Sequence, residues 1–119
     1  MPTYHPTFLD HFEHPRNQGS LEAATHRGSA VDDACGDRLT LDLEVQEGRI
    51  RAARFRVQGC MGAIAVGSVL TELLPGRPFP HPDVDRAGLA DALGDVPRAK
   101  RHALRLALAA LSAARSIGG

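Results

Sequence analysis

An α+β fold, a small antiparallel sheet of two to three strands packed against several helices, is predicted by three observations. Leu39, Leu41, Leu43 and Val45 alternate with Thr40, Asp42 and Glu44, the period of two that marks a half-buried strand. Gln46-Glu47-Gly48 separates that run from a second β-rich run, Ile50 to Val57, so the pair reads as an antiparallel hairpin. Helical spacing then appears on both sides of the hairpin, which places a small sheet beside several helices.

Each element follows from local chemistry. Phe8, Leu9 and Phe12 share helical spacing, Pro6 suits a first turn, and Pro15 stops the helix. A loop marked by Asn17, Gly19 and Gly28 comes next. The stretch around Ser29 to Val31 adds a third, weaker strand. In the second hairpin strand, Ile50 and Ala52 share one parity while Phe55 and Val57 share the other. A bulge between Ala52 and Ala53 reconciles the two halves. Met61 to Leu74 turns helical and ends at Pro75-Gly76, and Phe79 to Pro82 is loop. A short helix covers Asp85 to Leu93, closed by Gly94. The last helix begins near Pro97 and runs towards Ile117, with Leu104, Leu108 and Leu111 as its core stripe. The Ala-rich segment Ala107 to Ala114 reads as core.

The chain has 119 residues, 43% of them hydrophobic and 24% charged. That is the size and balance of one globular domain, so residues 1–119 are read as a single unit. Fourteen basic and fourteen acidic residues cancel, which counts against nucleic acid as a partner, since phosphate binding favours a basic excess. The longest near-continuous apolar stretch, Cys60 to Leu70, contains glycines and falls well short of the ~20 residues of a spanning helix, so no membrane partner is expected. The opening MPTYHPTFLDHFEHPRN carries early histidines and acids and no apolar run, unlike a signal peptide. The expected location is cytoplasmic.

Three short segments interrupt regular structure with reactive side chains: Ala34-Cys35-Gly36-Asp37, Gly59-Cys60 and Lys100-Arg101-His102. All lie at element ends, where a scaffold holds side chains firmly and leaves one side open. Cys60 precedes a predicted helix, whose free N–H groups and positive end lower the cost of a thiolate. Asp37 places a hard oxygen near a soft sulfur, a mixture that suits zinc or a labile iron site. For each residue a plainer role stands beside this one. Cys35 and Cys60 read as a disulfide, as two buried thiols or as members of one site; reducing compartments disfavour the first. Asp37 suits a turn feeding the strand, and His102 is one of six histidines.

The motifs together resemble the IscU scaffold family, which also forms the N-terminal domain of NifU. Asp10-His11-Phe12-Glu13, Pro15-Arg16-Asn17 and Gly19 are similar to the family's DHFENPRNVG. Ala34-Cys35-Gly36-Asp37 matches ACGD. Gly59-Cys60, Ala63-Ile64-Ala65, Ser68, Thr71-Glu72 and Gly76 follow GCGSAIASSSLVTEWVKG. Pro97, Lys100, His102, Leu106, Ala107 and Ala110 follow PPVKIHCSILAEDAIKAA more loosely. The resemblance covers nearly the whole chain in the same order.

It implies an iron–sulfur cluster assembly scaffold, not an enzyme. Cys35, Asp37, Cys60 and His102 would be the ligands of a labile [2Fe–2S] cluster or of zinc, with a cysteine desulfurase as sulfur source and apo iron–sulfur proteins as acceptors. Two departures stand out. The family has a cysteine directly after the histidine, where this chain has Ala103. Val96-Pro97-Arg98-Ala99-Lys100 keeps one proline and the lysine of LPPVK, which counts against a dedicated heat-shock chaperone as partner. Four candidate ligands remain, and two-thiolate ligation of a [2Fe–2S] cluster has precedent in Rieske centres. A non-catalytic interaction module and a persulfide acceptor, with Cys60 or Cys35 as the attacking thiolate, are the alternatives. A Cys-His-Asp hydrolase built from Cys35, His102 and Asp37 ranks last, because nothing marks an oxyanion hole or a substrate pocket.

Overall fold

The computed structural model describes residues 4–118. Residues 1–3 and 119, the ends of the expected domain and the first residues of the segment weighed as a signal peptide, lie outside it. The elements run α1 (Pro6–Glu13), β1 (His26–Asp32), β2 (Asp37–Gln46), β3 (Arg49–Gln58), α2 (Met61–Leu73), α3 (Arg86–Ala92), a 3₁₀ turn (Arg98–Lys100), α4 (His102–Ser112) and β4 (Arg115–Ser116). The α+β class expected from the sequence is what forms, with one strand more than expected. Among the described residues, no helix is long and apolar enough to cross a membrane.

The sheet is four-stranded and antiparallel, in the order β3-β2-β1-β4. Glu47 and Gly48 both take positive φ (53° and 75°) in the β2–β3 turn, the backbone that a tight hairpin requires. The expected bulge is present but sits earlier than its predicted place. Glu44 pairs with Ala52 and Val45 with Ile50, so Arg51 is the extra residue. The third strand is not weak: β1 pairs with β2 along its full length, from His26 opposite Leu43 to Asp32 opposite Asp37. Gly28 belongs to this strand and not to a loop. A Cβ there would come within 2.0 Å of the Ala110 carbonyl oxygen and 2.6 Å of the Ala114 nitrogen. Its bare backbone is what lets α4 lie against β1.

The helices cover one face. Leu39, Leu41 and Leu43 of β2 and Phe55 of β3 are fully buried with Ala63, Val66 and Leu70 of α2. The Phe55 ring lies where a side chain on Gly67 would be, 2.5 Å from its ideal Cβ. Helix α4 ends earlier than predicted, and its buried face differs from the predicted stripe. Ala103, Leu104, Leu106, Ala107 and Ala110 are buried, whereas Leu108 and Leu111 only flank the core. Arg115 and Ser116 leave the helix to pair with Arg27 and His26, and the Ile117 N–H donates to the Thr25 carbonyl at 2.9 Å.

The N-terminal motif residues fasten α1 to α2. His11 is 5% exposed, and its Nδ1 lies 2.7 Å from the Ser68 hydroxyl, which also accepts the Arg16 N–H at 2.9 Å. Arg16 in turn pairs with Asp10 and with Glu72. Burial, with the positive charge of Arg16, pushes the His11 pKa below its ordinary value, so the ring serves as a neutral hydrogen-bonding wedge.

On the other face of the sheet Asp42 is fully buried. Burial alone would raise its pKa, but hydrogen bonds from Arg27, Arg56 and the Leu21 N–H outweigh that and hold it at about 2, against 3.8 for an ordinary carboxyl. The folded value lies below the unfolded one. The carboxylate's stabilisation is therefore present above the unfolded value and is lost as pH falls through the folded one. Urea unfolding is expected to show Asp42→Asn less stable than wild type by up to about 2 kcal/mol near neutral pH. That difference should close as pH drops from about 4 to about 2.

Candidate metal centre

Three chain segments meet at one end of the sheet. Asp32 ends β1 and Asp37 opens β2, opposite one another, so residues 33–36 form the hairpin tip that carries Cys35. The tip is held by backbone geometry. The Gly36 N–H donates to the Asp32 carbonyl at 2.7 Å, with Gly36 at φ 73°. The Asp32 Oδ1 accepts the N–H groups of Ala34 and Cys35 at 3.0 and 3.4 Å, a side-chain turn typical of aspartate. Antiparallel pairing of Arg38 with Gln58 then brings the exit of β3 beside Asp37. Gly59 makes that approach possible, since a Cβ there would lie 2.5 Å from the Asp37 Oδ1.

Cys60 caps the start of α2 with extended backbone, and its side chain makes no hydrogen bond to the helix. Its Sγ instead lies 3.1 Å from the Asp37 Oδ2 and 3.7 Å from the His102 Nε2. His102 is the first residue of α4, delivered by the 3₁₀ turn at Arg98–Lys100, and its Nε2 lies 3.3 Å from the same Asp37 oxygen. Burial is graded across the group. Asp37 is 3% exposed, the His102 side chain 18%, and Cys35 is open to solvent.

Asp37, Cys60 and His102 thus offer one oxygen, one sulfur and one nitrogen, all within 4.8 Å of one another. Cys35 is not a member of that trio. It joins His102 through a second one, with Asp32, again within 4.8 Å. The four predicted residues are therefore gathered around one imidazole rather than packed as one tight quartet. Asp32 is the residue that sequence reasoning missed: a carboxylate just before a hairpin tip reads as turn chemistry, which it also performs. Ala103, where the resembling family has a cysteine, is fully buried in the core.

The geometry separates ligand chemistry from hydrolytic chemistry. A Cys-His-Asp hydrolase needs its thiol and its carboxylate on opposite ring nitrogens. For a thiol at Cys60 that arrangement is absent, since its sulfur and the Asp37 oxygen both approach Nε2. Convergence of unlike donors at one point, with one side open, is what a metal ion uses. Desolvation and the carboxylates of Asp32 and Asp37, with Cys60 nearby, push the Cys35 thiol above its ordinary pKa, against a smaller opposing pull from Lys100. A cation among these donors would reverse that balance.

Comparison with known proteins follows the same direction. The family described as NifU-like N terminal domain matches residues 3–116. The iron-sulfur cluster assembly scaffold protein IscU 1 of Archaeoglobus fulgidus is 37% identical over 109 residues, covering 91% of this chain and 71% of that protein. The iron-sulfur cluster assembly scaffold protein IscU of Aquifex aeolicus is 37% identical over 114 residues, covering 93% and 73%. The nitrogen-fixing NifU-like protein (N-terminal) of Brucella abortus shares the fold, with a TM-score of 0.71 at 15% identity, covering 92% of this chain and 87% of that one.

Proposed function

The chain belongs to the NifU-like N-terminal domain family, and from that premise we propose that it is an iron–sulfur cluster assembly scaffold whose cargo sits among Cys35, Asp37, Cys60 and His102. The observation that carries this reading is the approach of sulfur, carboxylate oxygen and imidazole nitrogen within 4.8 Å at the meeting of three loops. Asp37 and Cys60 form the sheltered floor, His102 the wall, and Cys35 the exposed rim. Sulfur from a cysteine desulfurase would arrive at the rim, and an apo iron–sulfur protein would collect the cargo there.

Two thiolates, an imidazole and a carboxylate supply four terminal ligands, the number that a [2Fe–2S] cluster requires. Asp37, Cys60 and His102 by themselves supply the three protein donors of an open tetrahedral zinc or iron site, with Cys35 outside that trio. With only two soft donors the cluster is held less firmly than by three or four thiolates, which favours release over storage. Anaerobic reconstitution with iron and sulfide, read by absorption spectroscopy and metal analysis, tests the proposal. Stoichiometric cluster, iron or zinc is the expected result. A folded protein that takes up none of the three would end it.

A second reading draws on the exposure of Cys35. As a persulfide acceptor, its thiolate would attack the outer sulfur of a desulfurase persulfide, releasing the donor cysteine as thiolate. Mass spectrometry after incubation with a desulfurase would show one added sulfur on Cys35, and an unmodified Cys35 would count against it.

A further inference from the structure

We propose that Asp32 is a further metal donor of this centre, acting with Cys35 and His102 where the chain lacks a thiolate at position 103. The inference rests on the metal-site reading above and adds a ligand to it. Its first support is division of labour within one carboxylate. Oδ1 is occupied by the N–H groups of Ala34 and Cys35. Oδ2 takes no hydrogen bond among the described residues and lies 4.0 Å from the His102 Nε2. One oxygen shapes the Cys35 turn while the other stays available beside the ring that the first trio shares.

The second support is composition. Asp32, Cys35 and His102 bring oxygen, sulfur and nitrogen within 4.8 Å, the same mixture as Asp37, Cys60 and His102. Two trios of matching chemistry meet the same ring nitrogen, His102 Nε2, an arrangement suited to one ion exchanging between them. The side chains of Asp32 and His102 are each 18% exposed. Both border an open cavity of about 250 Å³ that also meets Val31 and Arg105, so an ion and its water have a route in.

The third support is charge. Ala103 leaves Cys35, Cys60 and Asp37 as the anionic donors implied by the family resemblance, one fewer than a chain with the extra cysteine. Asp32 restores the number. Exchange of a soft sulfur for a hard oxygen makes the site less selective for soft ions and favours exchange over retention.

Cobalt(II) uptake by the full chain, followed through its thiolate charge-transfer and ligand-field bands and by competition with a chelator, tests this. Asp32→Asn keeps a side-chain oxygen for the Ala34 N–H, and so keeps the turn, but removes the anionic donor. It is expected to weaken cobalt binding at least about tenfold, the lower end of what loss of even an outer-shell partner costs, and to shift the ligand-field bands. Asp33→Asn makes the same charge change at an exposed neighbour and should alter neither. Wild-type affinity and bands in Asp32→Asn would overturn the role of Asp32 while leaving the centre intact. Weakening that only tracks a loss of folded protein would overturn it as well. A wild-type chain that binds no cobalt would remove the centre and this ligand together.

Discussion

Cys60→Ser is expected to lower metal affinity by more than about 100-fold, beyond the range lost with outer-shell partners, while leaving the fold unchanged. Cys60 is one of only two cysteines in the chain and the one that touches both other members of its trio, Asp37 at 3.1 Å and His102 at 3.7 Å. Its side chain gives the helix no hydrogen bond, and serine is a preferred residue at a helix start. The substitution therefore removes a ligand without removing a structural support. Chelator competition with zinc or cobalt, beside circular dichroism of the same samples, makes the measurement. Unchanged affinity would mean that the sulfur at the mouth of α2 is a bystander.

The second large effect is on stability. Gly28→Ala is expected to destabilise the protein by about 3 kcal/mol or more, at or above the usual range for overpacking. The added Cβ would meet backbone, not movable side chain: the Ala110 oxygen at 2.0 Å, the Ala114 nitrogen at 2.6 Å and the Ala113 carbonyl carbon at 2.9 Å. Relief requires α4 to move off β1, and His102 stands at the first turn of α4. Metal affinity should therefore fall with stability. Urea unfolding gives the first quantity, and a midpoint equal to wild type would contradict the close approach of strand and helix.

What could be read in the chain follows from how local the cause is. Strand β2 was legible because its alternation is written in consecutive residues, and the ends of α2 and α3 because Cys60, Pro75-Gly76, Asp85 and Gly94 stand at or just beyond them. Strand β1 was faint. His26-Arg27-Gly28-Ser29 has no apolar alternation, and what holds it is pairing on both sides, with β2 and β4. The end of α4 was misread for a related reason. Ala113 and Ala114 are good helix formers, and only the distant edge of β1 draws Arg115 and Ser116 out of the helix. The Arg51 bulge announced itself as a change of phase but not at its own residue.

The centre divides in the same way. Cys35, Asp37 and Cys60 were found because reactive residues beside glycines stood in a recognisable order, and His102 because it closed that order. Gly59 shows the physical content of that order, since its missing side chain is the space into which the Asp37 carboxylate fits. The Asp10-His11 and Pro15-Arg16-Asn17 motifs belong to the same resemblance. Their role, a latch between α1 and Ser68 and Glu72 of α2, becomes visible only in three dimensions. Asp32 carries no local mark at all, because its place beside His102 depends on β1 and α4 lying side by side.

X-ray absorption at the zinc edge of zinc-loaded, anaerobically handled protein looks straight at the proposed donors. A mixed first shell is predicted, with sulfur at about 2.3 Å and nitrogen or oxygen at about 2.0 Å. A shell of light atoms alone, or of sulfur alone, would contradict the claim that cysteine, histidine and aspartate from three loops serve one metal.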